Sequence, residues 1–172
     1  PFFDHMISNG IKVNLHTPNG LHCRYIDRGV AGKMVAAGVK TFYLGYESSS
    51  ESFQKATGGK TGADELGNAV ESLWSAGAEK ITAYELLGHP EADFESLVKS
   101  LKYANSLGIK VMLSDFSPIP GTRDGEACGD FLNMDEPIEH NKTAFTIRQL
   151  GNERVNEIKE LCRLLNRSLK KR

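Results

Sequence analysis

The chain of 172 residues is 25% charged and 40% hydrophobic, with 21 basic against 22 acidic side chains and a net charge of −1. That length suits one domain, or a piece of a larger one, with a core of its own. The balanced charge argues against a nucleic-acid footprint spread over the surface. No apolar run approaches the ~20 residues of a membrane helix, and no signal-peptide pattern opens the chain. Cys23, Cys128 and Cys162 form neither a disulfide framework nor a metal knuckle; three scattered thiols fit a reducing cytoplasm.

Taken in chain order, Phe2 to Gly10 reads as the end of a helix stopped by Asn9-Gly10. Together with the opening at Pro1, this is the expectation for a piece whose amino-terminal part lies elsewhere. A junction of the same kind then recurs, at Ala37-Gly38-Val39-Lys40, Ala76-Gly77-Ala78-Glu79 and Leu107-Gly108-Ile109-Lys110. In each, an amphipathic stretch ends at a glycine and a short apolar run follows at once. The four glycines lie 28, 39 and 31 residues apart, the size of one strand-plus-helix unit. The predicted strands are Ile11–His16, Val39–Tyr46, Lys80–Leu87 and Lys110–Phe116. Between them Ile26, Val30 and Met34 share a helical face, as do Leu66, Val70 and Leu73, and Phe94, Leu97, Val98 and Leu101. Thr143 to Leu169 reads as one final helix, with Val155, Ile158, Leu161, Leu165 and Leu169 in register. The basic end, Lys170 to Arg172, complements its dipole.

Strand–helix alternation predicts an α/β fold with a parallel sheet covered by helices. Four units make half of a barrel or one doubly wound sheet, since a full eight-unit barrel needs about 250 residues. Residues 1–122 would form the barrel part and 123–172 a following loop and helix. The first and last strands of such a half would present unpaired edges, through which the chain would self-associate.

Ligands of parallel α/β folds bind at the carboxyl ends of the strands. The predicted ends run into His16-Thr17-Pro18-Asn19-Gly20, Tyr46-Glu47-Ser48, Leu86-Leu87-Gly88-His89-Pro90 and Ser117-Pro118-Ile119-Pro120-Gly121-Thr122. Single loops of this composition are often only turns. Four at one rim mark a site.

The order TPNG, GYES, a Gly-x-Pro loop and SPIPGT, each strand preceded by a GV, GIK or similar step, resembles the second half of a radical SAM domain. It is most similar to the branch that pairs this barrel with a cobalamin-binding domain. The run Asp135 to Phe145 is also similar to the segment following the barrel in that branch. The resemblance implies a partial six-stranded barrel in which a CxxxCxxC loop holds a [4Fe–4S] cluster. S-adenosylmethionine (SAM) on that cluster is cleaved to a 5′-deoxyadenosyl radical. The three cysteines here cannot form the triplet, so cluster ligands and catalytic residues would lie outside this chain, as would any cobalamin.

What the resemblance implies for these residues is a SAM-side wall. Glu47, with Ser48 beside it, falls where the family contacts the ribose. Tyr84 to Glu91 falls on the family's GxIxGxxE region, with Tyr84 in place of the leading glycine. Leu86 and Gly88 would hold the adenine there, and Ile119 would meet it from the last strand. Asn14, Thr17 and Asn19 lie at the end and rim of the first predicted strand, facing SAM or substrate. By alternation Asn14 and His16 share a face, and His16 reads as a satisfied core histidine. Lys60 reads as a solvated loop lysine.

Three other patterns fail on spacing. Asn14 to Gly20 misses the cobalamin signature DxHxxG, Ala56 to Thr61 lacks the first glycine of a phosphate loop, and no G-x-S-x-G surrounds Ser48. Two other functions remain open at this level. One is a barrel enzyme for a phosphorylated or sugar-like ligand, with Glu47 and His89 or His16 as acid–base pair. The other is a cluster-less binding or scaffold module.

Overall fold

The computed structural model describes residues 1–47, 62–129 and 132–169, Glu47 by its backbone alone. Ser48 and Lys60 lie outside the described residues. Three of the recurring glycines close their helices in the same way. Gly10, Gly77 and Gly108 have φ of 62°, 86° and 74°, and each donates its N–H to the carbonyl three residues back. The residue after each donates to the carbonyl five back: Ile11 to Met6, Ala78 to Leu73, Ile109 to Ala104. This paired bonding satisfies helix-end carbonyls and turns the chain straight into extended structure, at a left-handed position only glycine adopts without cost.

The elements that result are α1 (Phe2–Ser8), β1 (Leu15–His22), α2 (Arg28–Ala36), β2 (Val39–Glu47), α3 (Ala63–Ser75), β3 (Ile81–Leu87), α4 (Phe94–Ser106), β4 (Lys110–Asp115), α5 (Arg123–Glu126), α6 (Lys142–Leu150) and α7 (Asn152–Ser168). The strands form one sheet in the order β1-β2-β3-β4, every pair parallel. An order that never reverses is a singly wound sheet, with every right-handed crossover on the same side. Of the two architectures the sequence leaves open, it is therefore half of a TIM-like barrel. The main core among the described residues lies under the helices. Phe42, Leu44 and Tyr46 of β2 and Ile81, Ala83 and Leu87 of β3 are buried with Leu66 and Leu73 of α3, Leu97 and Leu101 of α4, and Ile158 of α7. The alternate residues are half-buried (Thr82, Tyr84, Leu86) or exposed (Met112, Ser114). They form the concave inner face.

Two boundaries differ from the sequence reading. β1 does not end at His16; it begins at Leu15 and runs through Pro18-Asn19-Gly20 to His22. Proline is tolerated because β1 is an edge strand, where a missing N–H costs no ladder bond. The ladder is interrupted between Thr17 and Leu21. There the Thr17 hydroxyl donates to the Thr41 carbonyl at 3.1 Å and accepts the Tyr43 N–H at 3.2 Å, standing in for backbone. The carboxyl-terminal helix is two helices, broken at Gly151, whose φ of 78° no helix interior accommodates.

At β4 the sheet edge is covered. The Asn166 side chain of α7 accepts the Val111 N–H at 2.9 Å and donates to the Val111 carbonyl at 2.8 Å. One amide thus takes the place of a neighbouring strand. The Asn105 amide in turn donates to the Leu165 carbonyl at 2.9 Å, fixing α7 against α4. Asn166→Leu leaves the Val111 amide buried and unbonded. It is expected to lower unfolding free energy by about 1–3 kcal/mol in a urea titration; unchanged stability would show that the amide contributes nothing.

The start of α3 carries a pH dependence. Glu65 accepts the Gly62 N–H and an Arg24 bond at 3.0 Å. The Gly62 amide first, then Arg24, hold its carboxyl below the ordinary value of 4.5. A lowered folded-state pKa stabilises above the unfolded value and is lost as pH falls through the folded one. The stability difference between the chain and Glu65→Gln is therefore expected in full at about pH 6, and to shrink as pH falls below 4.5.

Candidate functional site

Because the strands are parallel, their carboxyl ends share one rim, and the chain there is fixed by short-range bonding. The Phe116 N–H donates to the Leu87 carbonyl at 2.8 Å, extending the β3–β4 pairing past the last strand residue. After it, Pro118-Ile119-Pro120 turns. The Ile119 carbonyl accepts the Thr122 N–H at 3.1 Å and the Thr122 hydroxyl at 2.7 Å. That hydroxyl also accepts the Gly125 N–H at 3.1 Å, capping α5. Gly125 is required: a Cβ there would stand 1.9 Å from the Ile119 carbonyl oxygen. With its backbone held inward, Ile119 presents its side chain to solvent, 59% exposed.

On the neighbouring strand, Leu86 is half-buried on the inner face and packs against a second apolar cluster of Phe116, Cys128, Leu132 and Phe145. Gly88 has φ 85°, and a Cβ would lie 2.8 Å from Thr146 Oγ1 and 3.0 Å from Thr146 Cα. The close approach that Gly88 permits is therefore made by Thr146 of α6, whose hydroxyl donates to the Leu87 carbonyl at 3.3 Å. Glu47 ends β2, its backbone in register with Glu85. Leu86, Gly88, Ile119 and the Glu47 backbone thus share the carboxyl rim.

The remaining candidates lie elsewhere. Asn14 precedes β1, exposed, beside Lys12, Gly38 and Lys40 at the amino end of the sheet. It does not share a strand face with His16. Thr17 is occupied by the β1–β2 ladder, and Asn19 is exposed on the edge strand. His16 is not a core histidine: it is exposed on the inner face, its Nδ1 2.9 Å from Thr41 Oγ1, because none of the described elements covers that side.

The structure adds residues that sequence reasoning missed. Tyr84 stacks on Tyr43, centroids 5.3 Å apart and planes 22° from parallel. Its hydroxyl donates to the Pro18 carbonyl at 2.9 Å. It reaches across β2 where that strand has Gly45; Gly20 lies so close there that its Cβ would be 3.1 Å from Gly45 backbone. The ring in place of the motif's first glycine therefore ties the β1 edge to β3 over a gap in side chains. The replacement was visible in the sequence; its partner Pro18 was not. Asp124 and Thr146, which meet His89 and Gly88, carry no motif.

Two of the three thiols are shifted toward the protonated form. Burial, then the Asp124 charge, push the Cys128 thiol above its usual range. Burial chiefly raises Cys162, with Glu85 adding to it against an opposing Asn166 bond. Among the described residues no group of three His, Cys, Asp or Glu side chains could hold a metal ion, and no helix is long and apolar enough to cross a membrane.

No family model matches the chain, and no curated protein does. Solved structures do. Coproporphyrinogen III oxidase (HemN) from Escherichia coli, a radical SAM enzyme, superposes with TM-score 0.59 at 14% identity, over 83% of this chain and 31% of that one. The radical SAM methyltransferase TsrM from Kitasatospora setae, with cobalamin and a [4Fe–4S] cluster bound, gives TM-score 0.64 at 14% identity, over 79% and 27%. The chain therefore has the fold of part of these radical SAM enzymes and spans at most about a third of their length.

The packing at Gly88 can be tested directly. Gly88→Ala forces a left-handed backbone on a Cβ residue and a clash, and is expected to cost about 1–3 kcal/mol in urea unfolding. Thr146→Ala in the same chain should recover only part, since the backbone strain remains. A neutral Gly88→Ala would contradict the geometry.

Proposed function

We propose that this chain is part of a radical SAM iron–sulfur enzyme and forms the ribose- and adenine-side wall of its SAM site. The observation supporting this is the singly wound parallel sheet, shared with two radical SAM enzymes, whose carboxyl rim gathers Glu47, Leu86, Gly88 and Ile119. Residues 1–122 serve as barrel and 123–172 as the segment following it. Where bound, SAM with its cluster supplies a 5′-deoxyadenosyl radical for hydrogen abstraction.

The chain's own residues bind and orient. The Glu47 carboxylate accepts from the two ribose hydroxyls, as acidic residues do in dinucleotide sites, with Ser48 beside it. Leu86 and the Ile119 backbone meet the adenine, the latter on a turn whose two prolines fix its dihedrals. Thr17 and Asn19 belong to the β1 edge, short of the rim, and Asn14 lies at the amino end. The cluster does not fit these residues: there is no cysteine triplet, and two of the three thiols are pushed toward the protonated form. A cobalamin would sit on a separate domain. The uncovered inner face and the β1 edge would pack against further barrel strands or another chain. Of the two acid–base pairs open to a non-radical enzyme, the one with His16 loses support: β2 carries Glu47 six residues beyond Thr41, the partner of His16, about 20 Å along a strand. The two cannot act as one acid–base pair.

The test is anaerobic reconstitution of the natural protein that carries this sequence. About four irons per chain, with 5′-deoxyadenosine released from SAM under a reductant, are expected. Glu47→Gln should weaken SAM binding roughly tenfold, about 1.4 kcal/mol, with iron content unchanged. Absence of both iron and product would overturn the proposal.

A further inference from the structure

His89 stands where the rim segments meet, and the proposed function gives it no task. Its ring is 4% exposed and packs edge-on against Phe116, centroids 4.6 Å apart. Nδ1 accepts the Glu91 N–H at 3.1 Å, and Nε2 faces Asp124 Oδ2 at 3.8 Å. A backbone amide only donates, so Nδ1 carries the lone pair. The neutral ring therefore holds its proton on Nε2, toward the carboxylate. One imidazole spans the turn after β3, which carries Gly88, and the short helix after β4, which closes the Ile119 turn.

We propose that His89 is a positioning residue that sets the separation of the Gly88 and Ile119 turns, and with it the width of the adenine slot between them. The ligand in this statement rests on the SAM reading of the rim; the clamp between the two turns does not. An imidazole suits the task because its two nitrogens point in diverging directions. An asparagine can replace the acceptor near Nδ1 and a glutamine the donor near Nε2, but neither replaces both.

The test uses His89→Asn, His89→Gln and Asp124→Asn in the natural protein, read by imidazole nitrogen shifts, backbone amide shifts, melting temperature and SAM affinity. Expected in the unsubstituted protein is the Nε2–H tautomer, its shifts moving with Asp124→Asn. His89→Asn should displace the amide signals of Gly121 to Glu126, and His89→Gln that of Glu91. Each should raise the SAM Kd about tenfold, with His89→Asn/Asp124→Asn no worse than His89→Asn alone. A buried histidine of purely structural use would lower the melting temperature of His89→Asn while leaving the SAM Kd within about twofold, and that result overturns the proposal. So does an Nδ1–H tautomer. If the unsubstituted protein binds no SAM, the ligand reading fails, and the tautomer and the Gly121–Glu126 shifts still decide whether the clamp exists.

Discussion

A parallel ladder that adds each new strand on the same side determines both the core of this molecule and the place of its site. Each right-handed crossover lays its helix on the same face, so the hydrophobic alternation of β2 and β3 is satisfied on that face alone. Parallel sheets are normally covered on both sides. Here the second side carries Thr82, Tyr84, Leu86, Met112 and Ser114, half-buried or exposed. The same arrangement places every strand's carboxyl end at one rim. The site and the open face are two consequences of one winding.

The two edges of the sheet are treated differently, and side chains make the difference. At β4 a single amide, Asn166, takes both backbone groups of Val111. At β1 the chain departs from regular pairing: the Thr17 hydroxyl replaces ladder bonds, Pro18 lacks a donor, and Tyr84 reaches over Gly45 to hold the departing segment. A bulged, proline-bearing strand is a poor template for indiscriminate pairing.

Much of this was legible in the sequence because glycine punctuates it. The helix-to-strand junctions place β2, β3 and β4 to within one residue at either end, since each depends on local backbone geometry. The misplacement of β1 has the same root: Pro18-Asn19-Gly20 has turn composition, and only its position at a sheet edge allows it to be strand. The Thr143–Leu169 stretch kept apolar spacing across Gly151 because α6 and α7 each bury a face, through Phe145 and through Val155, Ile158 and Cys162. At the carboxyl rim, Glu47, Leu86, Gly88 and Ile119 stand at the strand ends where the sequence places them. The contacts of His89 with Asp124 and of Gly88 with Thr146 join residues far apart in sequence, and no local pattern records them.

The central claim is that the carboxyl rim of this sheet, and not its amino end, meets SAM. Hydrogen exchange on the reconstituted natural protein, compared with and without SAM, tests it most directly. The account predicts slowed exchange at residues 44–47, 84–91 and 116–122, with 11–14 and 36–40 unchanged. Protection confined to the amino end, or no change at the rim under saturating SAM, would contradict it.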